Sequence, residues 1–181
     1  MLTTNQPQPV KVFAGVLWTT PEAWRAGLSE MEGVWGEHDL LNEPVPFTFS
    51  DYYRDEMGPE LQRQFAGFSQ LVDPGLLPQL KLQANEIEAR LAPDGKRTVN
   101  IDVGYVDYHK VVLASTKAGP QKIYLAQGIW ADMVLMYRKG EFHTFPWSFA
   151  DFAQGAYDDF FLALRQRYKS DLNACKSTTL P

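Results

Sequence analysis

The stretch TVNIDVGY, from Thr98 to Tyr105, alternates between apolar and polar residues over its whole length. A period of two is the pattern of a β-strand that buries one of its faces. Its odd-numbered positions are three β-branched residues and a tyrosine, whereas Asn100, Asp102 and Gly104 occupy the other side. We expect the odd-numbered side to face the core, which leaves one polar strand face.

The segments before this strand predict two helices that pack on a sheet. Val10 to Trp18 is an apolar run typical of a strand buried on both faces. Thr20-Pro21-Glu22 then combines an N-cap, a proline at the first helical position and an acid in the first turn. Each predicted helix has an apolar stripe at steps of three and four. The first stripe is Trp24, Leu28, Met31 and Trp35, and the second is Leu80, Ala84, Ile87 and Leu91.

The connection between these helices is expected to be extended. Residues 39–49 contain Pro44 and Pro46, which remove backbone donors and predict an edge strand or a strand that begins late, near Phe47. Residues 61–72 are expected to be its antiparallel partner.

The segments after Tyr105 predict hairpins and a last helix. Residues 110–117, KVVLASTK, fit either a short helix or a strand, and the Gly119-Pro120 turn favours a hairpin with residues 122–126, KIYLA. Ile129 to Arg138 predicts a long strand that returns through Lys139-Gly140. The last helix has a stripe of large apolar residues: Tyr157, Phe161, Leu164 and Tyr168.

This order of elements predicts an α+β fold. The expected architecture is a mainly antiparallel sheet with helices packed on one face, a ferredoxin-like βαββαβ core, extra C-terminal strands and a C-terminal helix. Residues 10–169 are expected to form a single domain. Residues 1–9 and 170–181 are polar and lack periodicity, so both are expected to be mobile tails.

Composition excludes several classes of function. A formal net charge of −5 disfavours a broad nucleic-acid-binding face. Cys175 is the single cysteine, so one chain has neither an internal disulfide nor a multi-thiolate zinc site. No window approaches the roughly 20 apolar residues of a membrane span, and the first residues lack a signal-peptide pattern. We therefore expect a cytoplasmic protein.

Familiar catalytic motifs are missing from the sequence. Residues 115–119, STKAG, have types that suit phosphate but lack the glycine spacing of a P-loop. The three histidines are scattered, and no G-x-S-x-G elbow occurs. No metal site is predicted, and no cofactor is identified.

The polar face of the alternating strand is the first candidate site. Asp102 would act as a general base or as a ligand for a hard cation, and Asn100 would orient a substrate. Lys110 or Lys117 would hold an anionic group. Glu86 on the second helix is a further candidate, and either Glu86 or Glu88 would face inward, because the two side chains point about 200° from one another. The alternative is that Asn100 and Asp102 form the solvated half of an amphipathic strand, as alternation alone predicts.

The connection from Asp51 to Gly58 is the second candidate site. Adjacent tyrosines stand there among charged residues, as in the rim of a ligand cleft or a partner surface: Asp51, Tyr52, Tyr53, Arg54 and Glu56. A solvated connection between two strands is the alternative, because Gly58-Pro59 is a turn signal. We expect this connection and the Asn100/Asp102 face to border one cleft.

Ordered segments over most of the chain resemble the DUF4416 family of bacterial proteins: QPVKVFAGVLW, FTFSDYYRDEMGPELQRQF, LVDPGLLPQLKLQANEIE, GKRTVNIDVGY, KVVLASTK and KIYLAQGIWADMVLMYRKGEFHTFPWSF. The resemblance implies no catalytic role for any residue. It adds matching motif positions to the candidate set, which then comprises Asp51, Tyr52, Tyr53, Glu56, Glu86, Asn100, Asp102, Tyr105, Lys110, Ser115, Thr116, Lys117 and Tyr124.

These observations lead to one functional expectation and two alternatives. We expect the cleft to bind or transform a small anionic metabolite of the phosphate-bearing kind. The first alternative is a non-catalytic module whose exposed rings at Tyr52, Tyr53 and Trp147 contact another protein or form a homodimer across an edge strand. A single-stranded RNA platform would stack bases on sheet aromatics, with Lys96, Arg97, Lys110 and Lys117 around them, and it is disfavoured by the net acidity.

Overall fold

The computed structural model describes residues 5–178, with only the backbone at positions 176 and 178. Residues 5–9 have no regular secondary structure. Nine strands and five helices follow in the described range, separated in two places by a short 3₁₀ turn. The strands are β1 Val10–Trp18, β2 His38–Leu41, β3 Val45–Pro46, β4 Gln62–Val72, β5 Val99–Val106, β6 Lys110–Ser115, β7 Ile123–Ala126, β8 Ile129–Arg138 and β9 Glu141–Thr144. The helices are α1 Pro21–Trp35, α2 Arg54–Met57, α3 Leu77–Arg90, α4 Ala150–Ala153 and α5 Asp158–Thr178.

The strands form one sheet in the order β2-β4-β1-β5-β6-β8-β7, with β3 beside β4 and β9 beside β8. Every pairing is antiparallel. The first four strands of this order, joined by α1 and α3, have the topology of the predicted ferredoxin-like core. The α+β prediction is therefore confirmed.

Helices cover both faces of the sheet. On one face, α1 and α3 pack against the odd-numbered side of β5, with Met31 and Ile87 fully buried. On the other face, α5 packs its stripe around Phe13 and Phe65, with Phe161 at the centre. The single helical layer predicted from the sequence accounts for α1 and α3, whereas α5 forms a second layer. Both faces of β1 are apolar, and this strand needs cover on both sides.

Two strand predictions require correction. Residues 110–115 are a strand, β6, but β6 pairs with β8, so the predicted hairpin with residues 122–126 does not form. β8 carries buried side chains such as Val134 and Leu135, whereas β7 is exposed throughout, and the more apolar strand takes the interior position. The edge strand expected within residues 39–49 is divided into β2 and β3, and Phe47 lies outside both.

The C-terminal tail prediction is wrong for residues 170–178, which continue α5. Leu172 is buried in the apolar layer beneath this helix. Lys11, fully buried on β1, donates to Asp171 Oδ2 at 2.7 Å and to Asp39 Oδ2 at 2.8 Å. This anchor joins residues 160 positions apart, so local periodicity could not indicate it. Residues 1–4 and 179–181 of the predicted tails lie outside the described residues.

Within residues 5–178, no helix is both long enough and apolar enough to cross a membrane.

We predict that Leu172→Ala lowers the free energy of unfolding by about 2–4 kcal/mol, because truncating a buried leucine loses apolar burial and leaves a cavity. Urea denaturation followed by circular dichroism measures this change. Asn173→Ala, at the exposed neighbouring position, is the matched control and should change the free energy by less than about 0.5 kcal/mol. Equal, small effects of both variants would show that the helix end is not docked.

Candidate functional site

The sheet opens between β5 and β6. Their pairing runs only from Gly104 to Val106, so the β6-facing edge of β5 has no neighbouring strand at Ile101. Two side chains of α3 take the place of that strand. Glu88 Oε1 accepts the Ile101 N–H at 2.6 Å, and Lys81 Nζ donates to the Ile101 carbonyl at 2.7 Å. A buried backbone group without a hydrogen-bond partner costs about 1–3 kcal/mol. These two contacts remove that cost for the N–H and carbonyl groups of Ile101.

A cavity of about 530 Å³ lies at this opening. Its walls come from distant parts of the chain: β4, the polar face of β5, the end of β6 with the loop that follows it, β8, α3, the segment before α2, and α4. The volume falls within the range of about 300–1,000 Å³ that is typical of small-molecule sites.

Arg63 is the most buried cation of the cavity. Its Nη1 donates to Asp102 Oδ2 at 2.8 Å and to the Gly15 carbonyl at 3.2 Å, and its Nη2 lies 3.9 Å from Asp151 Oδ2. Burial opposes ionisation of Asp102, but the charges of Arg63 and Lys81 outweigh it and hold the pKa of that carboxyl below its usual value. Asp102 is therefore an ionised anchor for Arg63 and a weak proton acceptor.

Arg97 connects the segment around α2 to the polar face of β5. It forms a two-point ion pair with Glu56 at 2.6 and 2.7 Å, and its Nη1 donates to Asn100 Oδ1 at 2.9 Å. The same Nη1 lies 3.3 Å from Glu88 Oε2. The hydrogen bond from Arg97 lowers the pKa of Glu56, so this pair remains charged at neutral pH.

The two adjacent tyrosines have different environments. Tyr53 packs beside Met57 and Leu61 in a small apolar cluster, and burial raises its pKa to about 12. Tyr52 is 65% exposed and accepts a hydrogen bond from Lys117 Nζ at 3.0 Å, which lowers the pKa of its hydroxyl. The Tyr52–Lys117 contact links the α2 segment to the end of β6 beside the cavity.

Lys122 places a second ammonium group near the end of β6. Its Nζ donates to Ser115 Oγ at 2.8 Å and lies 3.5 Å from Asp132 Oδ2. Asp132 is buried on β8, opposite Leu113 in the strand register, and lines the cavity.

The structure brings seven of the predicted site residues to the wall of this one cavity: Tyr52, Tyr53, Asn100, Asp102, Ser115, Thr116 and Lys117. Glu56 joins them indirectly, through Arg97. The tyrosine-bearing connection and the polar face of β5 therefore border a shared cleft, and the solvated-strand alternative does not describe Asn100, which is buried.

Lys110 lies away from the cavity and cannot act together with Asp102. It occupies the opposite end of β6 from Ser115, five residues or roughly 17 Å along the strand. Its ammonium group pairs instead with Asp107 in the turn between β5 and β6.

Four other predicted residues also lie outside the cavity wall. Glu86 is exposed on α3, and Glu88 takes the inward position, because residues two apart on a helix point about 200° from each other. Asp51 is exposed and lines a smaller pocket of about 190 Å³ with Arg54. Tyr105 and Tyr124 are the remaining two. The first packs against the core beneath α1 and α3, and the second is exposed on β7, edge-to-face with Trp130.

Sequence reasoning missed most of the buried charges of the site. These residues are Arg63, Lys81, Asp132 and Asp151, and the half-buried Lys122 was missed as well. A weak signal existed for two of them: Arg63 shares a strand side with Phe65, and Asp132 interrupts the apolar run of β8. A charge within an apolar strand pattern needs a partner, although the sequence does not identify that partner. In the described part of the chain, no three His, Cys, Asp or Glu side chains are grouped to hold a metal ion.

We predict that Asp102→Asn lowers the free energy of unfolding by about 1–3 kcal/mol at pH 7, because Arg63 then keeps only the distant Asp151 as a charge partner. The folded-state pKa of Asp102 is depressed, so its stabilisation is present above the unfolded-state pKa of about 3.9 and is lost as pH falls through the folded-state pKa. The difference between wild type and variant should therefore persist from pH 7 to pH 5 and shrink below about pH 4.

Urea denaturation at these pH values measures the difference. Asp51→Asn, at a fully solvated carboxylate, is the control and should have little effect throughout. A difference for Asp102→Asn that grows on acidification would contradict the assignment of Asp102 as an ionised partner of Arg63.

Comparisons with known proteins identify one family. No curated protein and no solved structure matches the chain. One family model matches residues 8–168, a range that includes every strand, α1 to α4 and the whole cavity. The chain therefore belongs to the DUF4416 family, which is described as a domain of unknown function.

Proposed function

We propose that this protein binds a small anionic metabolite of the phosphate-bearing class in the cavity between β5 and β6. The anionic group lies at the end of β6, where Lys117 and Lys122 supply ammonium groups and Ser115 and Thr116 supply hydroxyl groups.

A cytoplasmic location belongs to the same proposal and rests on the single cysteine, which allows no disulfide within one chain.

The pairing of Lys117 is the observation that carries this proposal. The other four cations of the cavity wall lie within 4.0 Å of a carboxylate: Arg63, Lys81, Arg97 and Lys122. Lys117 instead contacts the hydroxyl and the ring of Tyr52, and no carboxylate of the described residues lies within that distance. An ammonium group whose contacts are a phenol and a ring face retains most of its attraction for an anion.

Aromatic side chains of the cavity wall support the same proposal. Phe47, Tyr53, Phe149 and Phe152 contribute rings to the cavity, and Phe149 is about half exposed. Aromatic side chains are typical of small-molecule sites, and here they stand beside the charged groups of the same wall. The rings would contact the carbon skeleton of the ligand while the end of β6 holds its charge.

The two carboxyl groups of the cavity wall with shifted pKa values, Asp102 and Glu88, favour binding over proton transfer. Asp102, the general base expected from the sequence, has a lowered pKa and is held by Arg63. Glu88 has its pKa raised by burial, against the opposing effects of Lys81, the Ile101 N–H and Arg97. Because Glu88 also satisfies the backbone of β5, we assign it a structural role.

We predict that Lys117→Gln weakens the binding of inorganic phosphate and of ribose 5-phosphate by about tenfold or more, because a charge-assisted contact contributes about 1.5–3 kcal/mol. Isothermal titration calorimetry at low and at moderate salt measures the affinity, and a thermal-shift screen with phosphate esters and nucleotides selects further ligands. Lys139→Gln, in the turn between β8 and β9, removes the same charge outside the cavity and should leave binding unchanged.

Failure of all phosphate-bearing probes to bind the wild-type protein at low salt would overturn the proposal. Equal losses for Lys117→Gln and Lys139→Gln would attribute binding to net charge alone and would also contradict it.

The exposed edge of the sheet favours a second candidate function, a protein-interaction or homodimerisation module. β7 ends the strand order, and its free edge carries Ile123, 70% exposed, beside Tyr124 and Leu125. An apolar, unpaired edge is a template for pairing with another chain. Of the rings considered for this role from the sequence, Tyr53 is half-buried in the cavity wall. Trp147 stacks on Phe145 at 4.8 Å.

We predict for this second function that Ile123→Lys disrupts self-association, because a charge on the strand edge opposes pairing. Sedimentation equilibrium at several protein concentrations measures the mass of wild type and variant. Leu76→Lys, at an exposed apolar residue away from the edge, is the control. A wild-type protein that stays monomeric at the highest concentration would contradict the homodimer.

A further inference from the structure

Two buried polar atoms of the cavity wall have no protein partner within the described residues: Asp132 Oδ1 and Arg63 Nε. Their residues are 3% and 6% exposed, and both line the cavity. One atom is an acceptor and the other is a donor. The remaining polar atoms of both side chains are directed at partners in the protein, such as Lys122 for Asp132 and Asp102 for Arg63.

Such atoms indicate what a ligand must offer. Leaving a buried donor or acceptor without a partner costs about 1–3 kcal/mol, and native proteins have few of them. Both residues line one cavity, from β8 and β4, whereas the backbone groups of Ile101 at the sheet opening are satisfied by α3. The residues of the cavity wall therefore include one hydrogen-bond acceptor and one donor without a protein partner, in addition to the Lys117 ammonium group, which contacts only Tyr52.

We propose that the ligand is a hydroxylated phosphate monoester of the sugar phosphate kind, with a hydroxyl group that donates to the Asp132 carboxylate and an oxygen that accepts from the Arg63 guanidinium. This inference rests on the proposed function, which places the phosphate at the end of β6. It adds the chemistry of the part of the ligand that lies deeper in the cavity.

The position of Lys122 selects a hydroxyl group over an amine. Lys122 Nζ lies 3.5 Å from Asp132 Oδ2, so an ammonium group on the ligand would be placed beside an ammonium group of the protein. Like charges in a buried site disfavour each other, whereas a neutral hydroxyl donates to the carboxylate without that repulsion.

The charge balance of the wall limits the charge of the ligand. Five basic and four acidic side chains line the cavity, and Glu56 outside it neutralises part of Arg97. The nine side chains together carry a net charge of +1, which favours a ligand of low charge, such as a phosphate monoester, over a ligand with many charges. A nucleoside triphosphate carries about four negative charges at neutral pH, and most of them would lack a counter-charge here.

Calorimetric titration of the wild-type protein with matched phosphate esters tests the inference. The probes are ribose 5-phosphate, n-pentyl phosphate and 5-aminopentyl phosphate, which differ in their hydroxyl and amino groups, with inorganic phosphate as the reference. We expect ribose 5-phosphate to bind at least about tenfold more tightly than n-pentyl phosphate, because a site built for a hydroxyl group rejects the analogue that lacks it. The 5-aminopentyl ester should bind no more tightly than the pentyl ester.

The variant Asp132→Ala then tests the assigned acceptor. It should reduce the preference for ribose 5-phosphate over n-pentyl phosphate to about twofold or less. Inorganic phosphate should still bind, because the loss of Asp132 leaves Lys122 without its carboxylate partner and available to the anion. Asp159→Ala, at an exposed carboxylate on α5, should keep the full preference. The comparison of esters on the wild-type protein remains decisive if Asp132→Ala does not fold.

The outcomes distinguish a failure of this inference from a failure of the proposed anion-binding function. Equal affinity of the ribose and pentyl esters, with binding that still depends on Lys117, overturns the hydroxylated ligand and leaves the anion site standing. Tighter binding of the aminopentyl ester overturns the choice of a hydroxyl group. Absence of binding by every phosphate probe overturns the proposed function itself.

Discussion

The contact of Lys81 and Glu88 with the backbone of Ile101 is the interaction on which the cavity depends. β5 leaves β6 after three paired positions, and the exposed N–H and carbonyl groups would otherwise be buried without partners. An ammonium and a carboxylate from α3 replace the missing strand at this point. The sheet can therefore stay open within a well-packed core, and the opening has room for a ligand.

This replacement explains why so many charges are buried in one region. Lys81 and Glu88 lie 4.0 Å apart, and Glu88 also contacts Arg97, which binds Glu56 on the α2 segment. A buried ion pair adds little net stability, but removal of one partner leaves an uncompensated charge, so the set acts as a unit. The α2 segment is held over the cavity by this chain of contacts and by the apolar anchor of Met57.

Cover on both faces of the sheet completes the cavity. α1 and α3 bury the odd-numbered side of β5, and α5 with α4 covers the opposite face around Phe65. Asp151 on α4 accepts a hydrogen bond from Tyr157 at 3.0 Å and faces Arg63. The second helical layer thus supplies a carboxylate for the buried arginine as well as apolar cover. Lys11 joins the far end of α5 to β1 and β2 through two carboxylates.

The sequence by itself determined most of the longer helices and strands and their succession along the chain, because the period-two pattern of β5 and the apolar stripes of α1, α3 and α5 are local properties. It also indicated that Tyr52, Tyr53, Asn100 and Asp102 share a cleft. Only the tertiary structure decided that β8 lies between β6 and β7, that Glu88 faces inward in place of Glu86, and that Lys110 is remote from Asp102. The physical reason is that strand order and charge partners depend on contacts between distant residues. An alternating pattern predicts whether a side chain is buried or exposed. Which group that side chain contacts is known only from the folded structure.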